Sequence, residues 1–142
     1  MSANTTDATA ALLADRLEVA DLLARLANLL DERRYDDAGS VYHADAVVRG
    51  PRGDLRGLDA LTALLKESHV EGVHTQHVHG DVLVRVDGDR AEATANQLVY
   101  FHHEGEPPHR TSGLRVAATA VRTREGWRFS EMRITLAWTH DA

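Results

Sequence analysis

The apolar residues of this chain change their spacing partway along the sequence. Up to Leu30 they recur every three or four positions, which is the period of an amphipathic α-helix. From Val73 onward they alternate with polar residues, as in a β-strand with one face buried. Helices at the front and strands behind predict an α+β domain in which N-terminal helices pack on a curved, mainly antiparallel sheet.

The individual elements can be placed from their breaks and caps. Thr5, Thr6 and Asp7 are candidate N-caps for a first helix that runs to about Leu30. A short second helix is expected to reach Tyr42. The remaining predicted elements are a strand over 46–49, a helix over 58–68, and long strands over 73–86, 91–103, 111–122 and 127–139. Strands this long must twist, so the sheet and helices should enclose a cone-shaped pocket.

Three histidines lie within six residues at the start of the first long strand. Strand alternation places His77 and His79 on one face and His74 on the other. After Gly80, however, the apolar set that begins at Val82 has the opposite parity. One extra residue in the strand would restore a common inner face, so the sequence predicts a β-bulge near Gly80. His77 and His79 then face the pocket.

Composition narrows the class of protein. A chain of 142 residues fits one domain, 1–142, whose first nine residues are expected to be flexible. The net charge of -6 and the scattered arginines argue against partners such as nucleic acids or membranes. The absence of cysteine excludes disulfides and thiolate chemistry. No signal-peptide pattern precedes the first helix, which indicates a cytoplasmic protein, and the single lysine among many arginines indicates a high-GC bacterial source.

Five short segments, in order, are similar to a known family. They are DERRYD at 31–36, VYHADAVV at 41–48, TQHVHGD at 75–81, VDGDRA at 86–91 and RTREGWR at 122–128. Together they resemble SnoaL-like proteins of the nuclear transport factor 2-like superfamily. That resemblance implies the cone-shaped fold, no cofactor, and a homodimer that covers the exposed sheet face. The superfamily includes dehydratases, a dehydrochlorinase, isomerases, an epoxide hydrolase and polyketide cyclases, so the fold does not determine the reaction.

The resemblance to the dehydratase-like branch implies a catalytic pair formed by His77 and Asp31. A neutral imidazole can accept a proton near neutral pH, and a carboxylate on its other nitrogen sets the tautomer and stabilises the imidazolium. Related dehydratases carry a tyrosine acid where this chain has Leu26, and a tyrosine and an acidic residue where it has Val116 and Ala118. The pocket is therefore expected to be more apolar and to lack the usual proton donor.

Other residues are candidates for lining the pocket or replacing the missing acid. Tyr42, Tyr100, His79 and His102 carry suitable protons, and Trp138 is placed to close a pocket near the end of the last strand. The predicted substrate-binding residues are Tyr42, His79, Tyr100, His102, Trp138, Leu26 and Val116.

Metal binding is the main competing chemistry for the histidine segment. The spacing of His74, His77 and His79 is of the kind found at imidazole sites. A regular strand, however, aims His74 and His77 to opposite sides, and no glutamate ligand follows. No metal is therefore predicted.

Three functions remain open. The favoured one is a cofactor-independent acid/base enzyme that dehydrates, isomerises or cyclises a small, largely apolar, polyketide-like or other secondary metabolite. The second is hydrolysis of an epoxide or ester in the same pocket, which requires a water held by several polar groups. The third is small-molecule binding without catalysis, which Leu26 in place of the tyrosine favours.

Overall fold

A computed structural model describes residues 2–142 as two α-helices, a short 3-10 helix over Tyr35–Ser40 and six strands. The helices are α1 (Ser2–Asp31) and α2 (Leu58–Ser68); the strands are β1 (Tyr42–Gly50), β2 (Gly53–Arg56), β3 (His74–Asp87), β4 (Arg90–His102), β5 (Arg110–Thr123) and β6 (Gly126–Asp141). None of the described helices is long and apolar enough to cross a membrane.

All six strands form one sheet in the order β2-β1-β6-β5-β4-β3. Neighbouring strands are antiparallel except β1 and β6, which are parallel. The sheet is curved and unclosed, and α1 packs against its inner face. The predicted α+β cone is therefore confirmed.

The first long strand contains the predicted bulge. Pairing between β3 and β4 is regular from His74 to Gly80 and resumes at Leu83 with a shifted register. Asp81 takes a left-handed backbone conformation with φ of 52°, and its carboxylate accepts a hydrogen bond from Asn96. Before the bulge the less exposed positions are odd-numbered, and after it they are even-numbered. One extra residue thus puts His77 and the later valines on the same face.

The inner face of the central strands carries small residues beneath the large residues of α1. β4 and β5 contribute five buried alanines, which leave room for the leucines of α1 in a single core cluster. The largest fully buried side chains in this core are Trp127, Phe129, Leu22, Leu23, Leu29, Met132, Val19 and Val41.

Polar contacts attach the first half of α1 to the β5–β6 hairpin. Glu18 Oε2 accepts the backbone N–H of Trp127 at 2.6 Å, and Asp15 accepts the indole N–H of the same residue at 3.1 Å. Asp15 also accepts two hydrogen bonds from Arg122. Gly126 has φ of 111°, and a Cβ there would approach Glu18 Oε2 to 2.9 Å, so glycine suits this turn. These contacts set the depth of α1 over the sheet.

The second half of α1 ends in a defined C-cap. The backbone N–H of Arg34 bonds to the carbonyl of Leu29, and that of Arg33 bonds to the carbonyl of Leu30. This is the hydrogen-bond pattern of a Schellman motif, with Arg33 in the left-handed region at φ of 59°. Asp31 is therefore the last residue of a rigid helix.

Several predicted boundaries need correction. The helix begins at Ser2, before the proposed caps at Thr5 to Asp7, because a helix whose later turns pack on the sheet can propagate toward its N-terminus. The short helix ends at Ser40, and Tyr42 instead opens β1, where its backbone pairs with β6. β2 was not anticipated, since its four residues show no apolar alternation. Flexibility over 1–9 stays a prediction, and Met1 lies outside the described residues.

Candidate active site

Asp31 and His77 lie in direct contact between the end of α1 and β3. Asp31 Oδ1 is 2.6 Å from His77 Nδ1, and Asp31 Oδ2 accepts the backbone N–H of His77 at 2.9 Å. Thr75 Oγ1 donates to Oδ1 at 3.0 Å. The two side chains are only 13% and 22% exposed for His77 and Asp31, respectively. A carboxylate with three hydrogen bonds holds both its own position and the orientation of the ring.

A second contact fixes the same junction from the other side of β3. The guanidinium of Arg33 donates to the carbonyl of Val73 at 3.2 Å and lies 3.1 Å from Nδ1 of His74. Arg33 thus holds the entry to β3 at Val73 and His74, and Asp31 holds the strand at Thr75 and His77. The helix end and the strand cannot slide past each other without breaking both sets of bonds.

The free nitrogen of His77 is available for chemistry. With Nδ1–H donated to Asp31, Nε2 carries a lone pair, and it has no hydrogen-bond partner among residues 2–142. Nε2 of His77 is not fully buried either. The fully buried side-chain atoms without a partner among the described residues are Nδ1 of His79 and Nδ1 of His109. A histidine held in this way can act as a general base that the carboxylate orients.

His79 lies beside His77 on the inner face, bonded to a residue that the sequence did not single out. Its Nε2 is 2.8 Å from Oε1 of Gln97, which is buried on β4. Burial of the ring, the largest cause, and the neighbouring His77 lower the pKa of His79 despite the opposing effect of Gln97. Gln97 could have been noticed as a polar residue in the row of inward Ala91, Ala93, Ala95 and Val99.

Three predicted pocket residues lie on the opposite face of the sheet. Tyr100 and His102 alternate with the inward residues of β4 and pair with Gln76 and His74 of β3, so strand alternation turns them outward. Trp138 is 49% exposed, and its ring lies against Gly113 on that outer face. Their prediction as pocket residues is therefore corrected. Both faces of these strands carry aromatic and aliphatic residues, so the sequence does not show which of the two alternating sets faces inward.

The other predicted pocket residues lie on the inner side. Leu26 of α1 and Val116 of β5 are both buried in the core cluster. Tyr42 is buried as well; its hydroxyl donates to the sulfur of Met132 at 3.3 Å, and burial raises its pKa. Its proton is thus directed into the core, toward Met132. Substrate contact by Leu26, Val116 or Tyr42 stays a prediction.

The geometry does not assemble the histidine segment into a metal centre. His74 stacks on His102 with ring centroids 5.5 Å apart, on the face opposite His77. Within residues 2–142 there is no group of three or more His, Cys, Asp or Glu arranged to hold a metal ion. The bulge that brings His77 and His79 inward leaves His74 outside.

Two open grooves lie away from the pair. One of about 430 Å³ is lined by residues of β1, β2, β6 and the turn between β1 and β2, including Arg49, Asp54 and Arg133. Another of about 240 Å³ crosses the outer side of β4, β5 and β6. Neither includes His77 or Asp31 in its lining. The candidate chemistry therefore rests on the inner face itself.

The sequence matches a known domain family across most of its length. The model of the SnoaL-like domain matches residues 11–133, a range that contains Asp31, His77, His79 and Gln97. The chain therefore belongs to the SnoaL-like domain family.

Relatives and solved structures agree with this assignment. The chain is 32% identical over 123 residues to an uncharacterized protein, Rv2910c, of Mycobacterium tuberculosis, covering 82% of this chain and 81% of the relative. A nuclear transport factor 2-like protein with a cystatin-like fold from Novosphingobium aromaticivorans is 26% identical, with a TM-score of 0.80 over 94% of this chain and 89% of that one. A putative scytalone dehydratase from the same organism is 17% identical, with a TM-score of 0.79 over 92% and 89%.

Proposed function

We propose that the protein is a cofactor-independent acid/base enzyme in which His77 is the base and Asp31 orients it. The observation that carries this proposal is the 2.6 Å contact between Asp31 Oδ1 and His77 Nδ1, with Nε2 left unpaired. General-base assistance of this kind contributes about 10² to 10⁴-fold to the rate. The likeness in fold to a putative scytalone dehydratase supports a dehydratase, isomerase or cyclase reaction.

The proposed substrate is a small, largely apolar metabolite that carries a carbonyl or hydroxyl group, as polyketide-like secondary metabolites do. Leu26 and Val116 make the inner side apolar, and apolar surroundings strengthen the contact between a base and its carboxylate. Dehydration, isomerisation and cyclisation of such compounds can all begin with removal of a proton from a carbon beside a carbonyl.

Proton exchange provides the test, because it needs no knowledge of the final product. Small cyclic ketones and β-hydroxy ketones are incubated with the protein in D₂O, and loss of the signal of the proton beside the carbonyl is followed by NMR. Exchange should be catalysed by the wild type and lost in His77→Gln. His140→Gln, an exposed histidine on β6, is the matched control and should leave the exchange unchanged. Equal exchange in His77→Gln would reject the proposal.

Small-molecule binding without catalysis is the second candidate. It is favoured by Leu26 at the position of the usual tyrosine and by Tyr42, whose proton is directed into the core. Ketones that bind the wild type with no exchange, and that bind His77→Gln equally, would support this function instead.

A homodimer and a cytoplasmic location also stay predictions. The outer face leaves Val78, Leu83 and Trp138 at 42%, 71% and 49% exposure, which is apolar surface that a second copy would cover. Light scattering should give twice the monomer mass, and Leu83→Lys should shift it toward the monomer. A monomeric wild type would contradict the dimer.

A further inference from the structure

Gln97 presents an unused hydrogen-bond donor on the inner face of the sheet. The only buried polar residues among residues 4–142 are Gln97, at 6% exposure, and Ser112, at 9%. The amide oxygen of Gln97 is taken by His79, whereas its Nε2, with two N–H groups, has no partner among the described residues. Nε2 of Gln97 is not fully buried, since the fully buried side-chain atoms without a partner among the described residues are Nδ1 of His79 and Nδ1 of His109. The donor is therefore free to bind an acceptor on the inner face.

His79 determines which end of the amide faces the cone. Burial keeps the pKa of His79 below its usual value, so the ring is neutral and carries one proton. Nε2 of the ring lies 2.8 Å from Oε1 of Gln97, which fits a ring that carries its proton on Nε2 and donates it to the amide oxygen. Nδ1 makes no hydrogen bond, and the backbone of Leu23 also interacts with the ring. The amide nitrogen must then point away from His79.

The donor lies within reach of a substrate held by the base. In the β3–β4 register His79 pairs with Gln97 and His77 pairs with Val99, so His77 and Gln97 are diagonal neighbours on one face. Diagonal neighbours in an antiparallel pair are about 7–8 Å apart, a distance that a small ring with a carbonyl oxygen spans.

We infer that Gln97 donates a hydrogen bond from Nε2 to the carbonyl oxygen of the substrate, with His79 as its positioning residue. This inference rests on the proposed function and narrows the substrate to a small, apolar, enolisable ketone. A donor aimed at the oxygen stabilises the negative charge that develops there when the carbon–hydrogen bond breaks.

The step balances without a further reactant for a β-hydroxy ketone. His77 Nε2 takes the proton beside the carbonyl, and the carbon–hydrogen electron pair forms the carbon–carbon double bond of an enolate whose oxygen is held by Gln97. The enolate then reforms the carbonyl, a new double bond forms toward the β-carbon, and the β-hydroxyl leaves. Return of the proton from His77 to that hydroxyl releases water, so one histidine serves as base and then as acid.

The test uses 4-nitrophenolate as a stand-in for the enolate, because it is an apolar ring with a charged oxygen and absorbs visible light. The wild type should bind it at millimolar concentration or below. Gln97→Leu and Gln97→Met should each weaken binding by about tenfold to hundredfold, the usual effect of losing a hydrogen bond to a charged group. Gln76→Leu, an exposed glutamine on β3, is the control and should bind as the wild type does.

The outcomes separate this inference from the proposed function. If Gln97→Leu and Gln97→Met bind 4-nitrophenolate as the wild type does, or if the wild type does not bind it, the inference is overturned. Loss of D₂O exchange in His77→Gln together with unchanged exchange in both Gln97 variants would retain the base and reject the donor. Nitrogen-15 NMR of the wild type should show the His79 proton on Nε2; a proton on Nδ1 would reverse the amide and overturn the assignment.

Discussion

Asp31 holds His77 at two points, since one carboxylate oxygen meets the ring at 2.6 Å and the other accepts the backbone N–H at 2.9 Å. Side chain and strand are thereby tied to the same helix end. A histidine held only by its ring could turn about χ1, whereas here the carboxylate also fixes the backbone from which the ring projects.

The first prediction concerns the tautomer of His77. In Asp31→Asn the amide can donate to Nδ1, so the ring proton should move to Nε2 and the free lone pair should be lost. Nitrogen-15 NMR should detect this change, and exchange in D₂O should fall by about 10² to 10⁴-fold. Asp21→Asn, an exposed change on the same helix, should alter neither. A proton that stays on Nδ1 in Asp31→Asn would contradict the role of Asp31 in setting the tautomer of His77.

The second prediction concerns the bulge at Asp81. Valine is β-branched and tolerates φ of 52° poorly, so Asp81→Val should lower the free energy of unfolding by about 1–2 kcal/mol. Urea denaturation measures this difference. Arg85→Val is the control on an extended part of the same strand and should change stability by no more than about 0.5 kcal/mol. Equal effects of the two substitutions would show that the bulge does not require its left-handed residue.

The third prediction concerns the pH dependence of stability. His79 has a lowered pKa in the folded state, so the unfolded chain binds its proton first as the pH falls. The contribution of this group to stability is full above the usual histidine value of 6.5 and is lost as the pH falls toward the lower folded-state pKa. Urea unfolding between about pH 8 and pH 5 should therefore show a decline in stability.

His79→Phe removes this titration and keeps a ring of similar shape. The variant should be less stable overall, because Oε1 of Gln97 loses its donor, but its stability should depend less on pH across the same range. His140→Gln should retain the wild-type dependence. An unchanged decline in His79→Phe would assign the effect to other groups.

The fourth prediction concerns the anchor of the first half of α1. Asp15→Ala leaves the indole N–H of fully buried Trp127 without its acceptor and removes a partner of Arg122. The free energy of unfolding should fall by about 1–3 kcal/mol. Asp21→Ala, at an exposed position of α1, is the matched control and should stay within about 0.5 kcal/mol of the wild type. A similar loss in both variants would mean that helix content, and not the anchor, is affected.

Local patterns were sufficient for much of the fold. The parity change after Gly80 predicts the bulge, and the bulge is confirmed by the register shift before Leu83. Tyr100 and His102 were assigned to the wrong face because the alternation there is compatible with either set of residues facing inward. On the second half of β4, Leu98 and Tyr100 are as apolar as Val99 and Phe101, so alternation alone does not say which set faces the helix.

The role of Gln97 could not be predicted from local sequence patterns. A single glutamine in a strand is usually a solvent-facing residue, and its importance depends on His79 across the pair, 18 positions away in sequence. Such a contact follows from the strand register, which is determined by turns and bulges together.

The sequence by itself determined the long helix, the α2 helix and the four long strands, the inward histidines and the need for an extra residue near Gly80, because these follow from the periods of helix and strand. Only the tertiary structure decided which residues meet across elements. The hydrogen bonds between Asp31 and His77, and between His79 and Gln97, require a helix end at a set depth and a strand pair in a set register. Both conditions depend on packing of the whole chain, which no local period encodes.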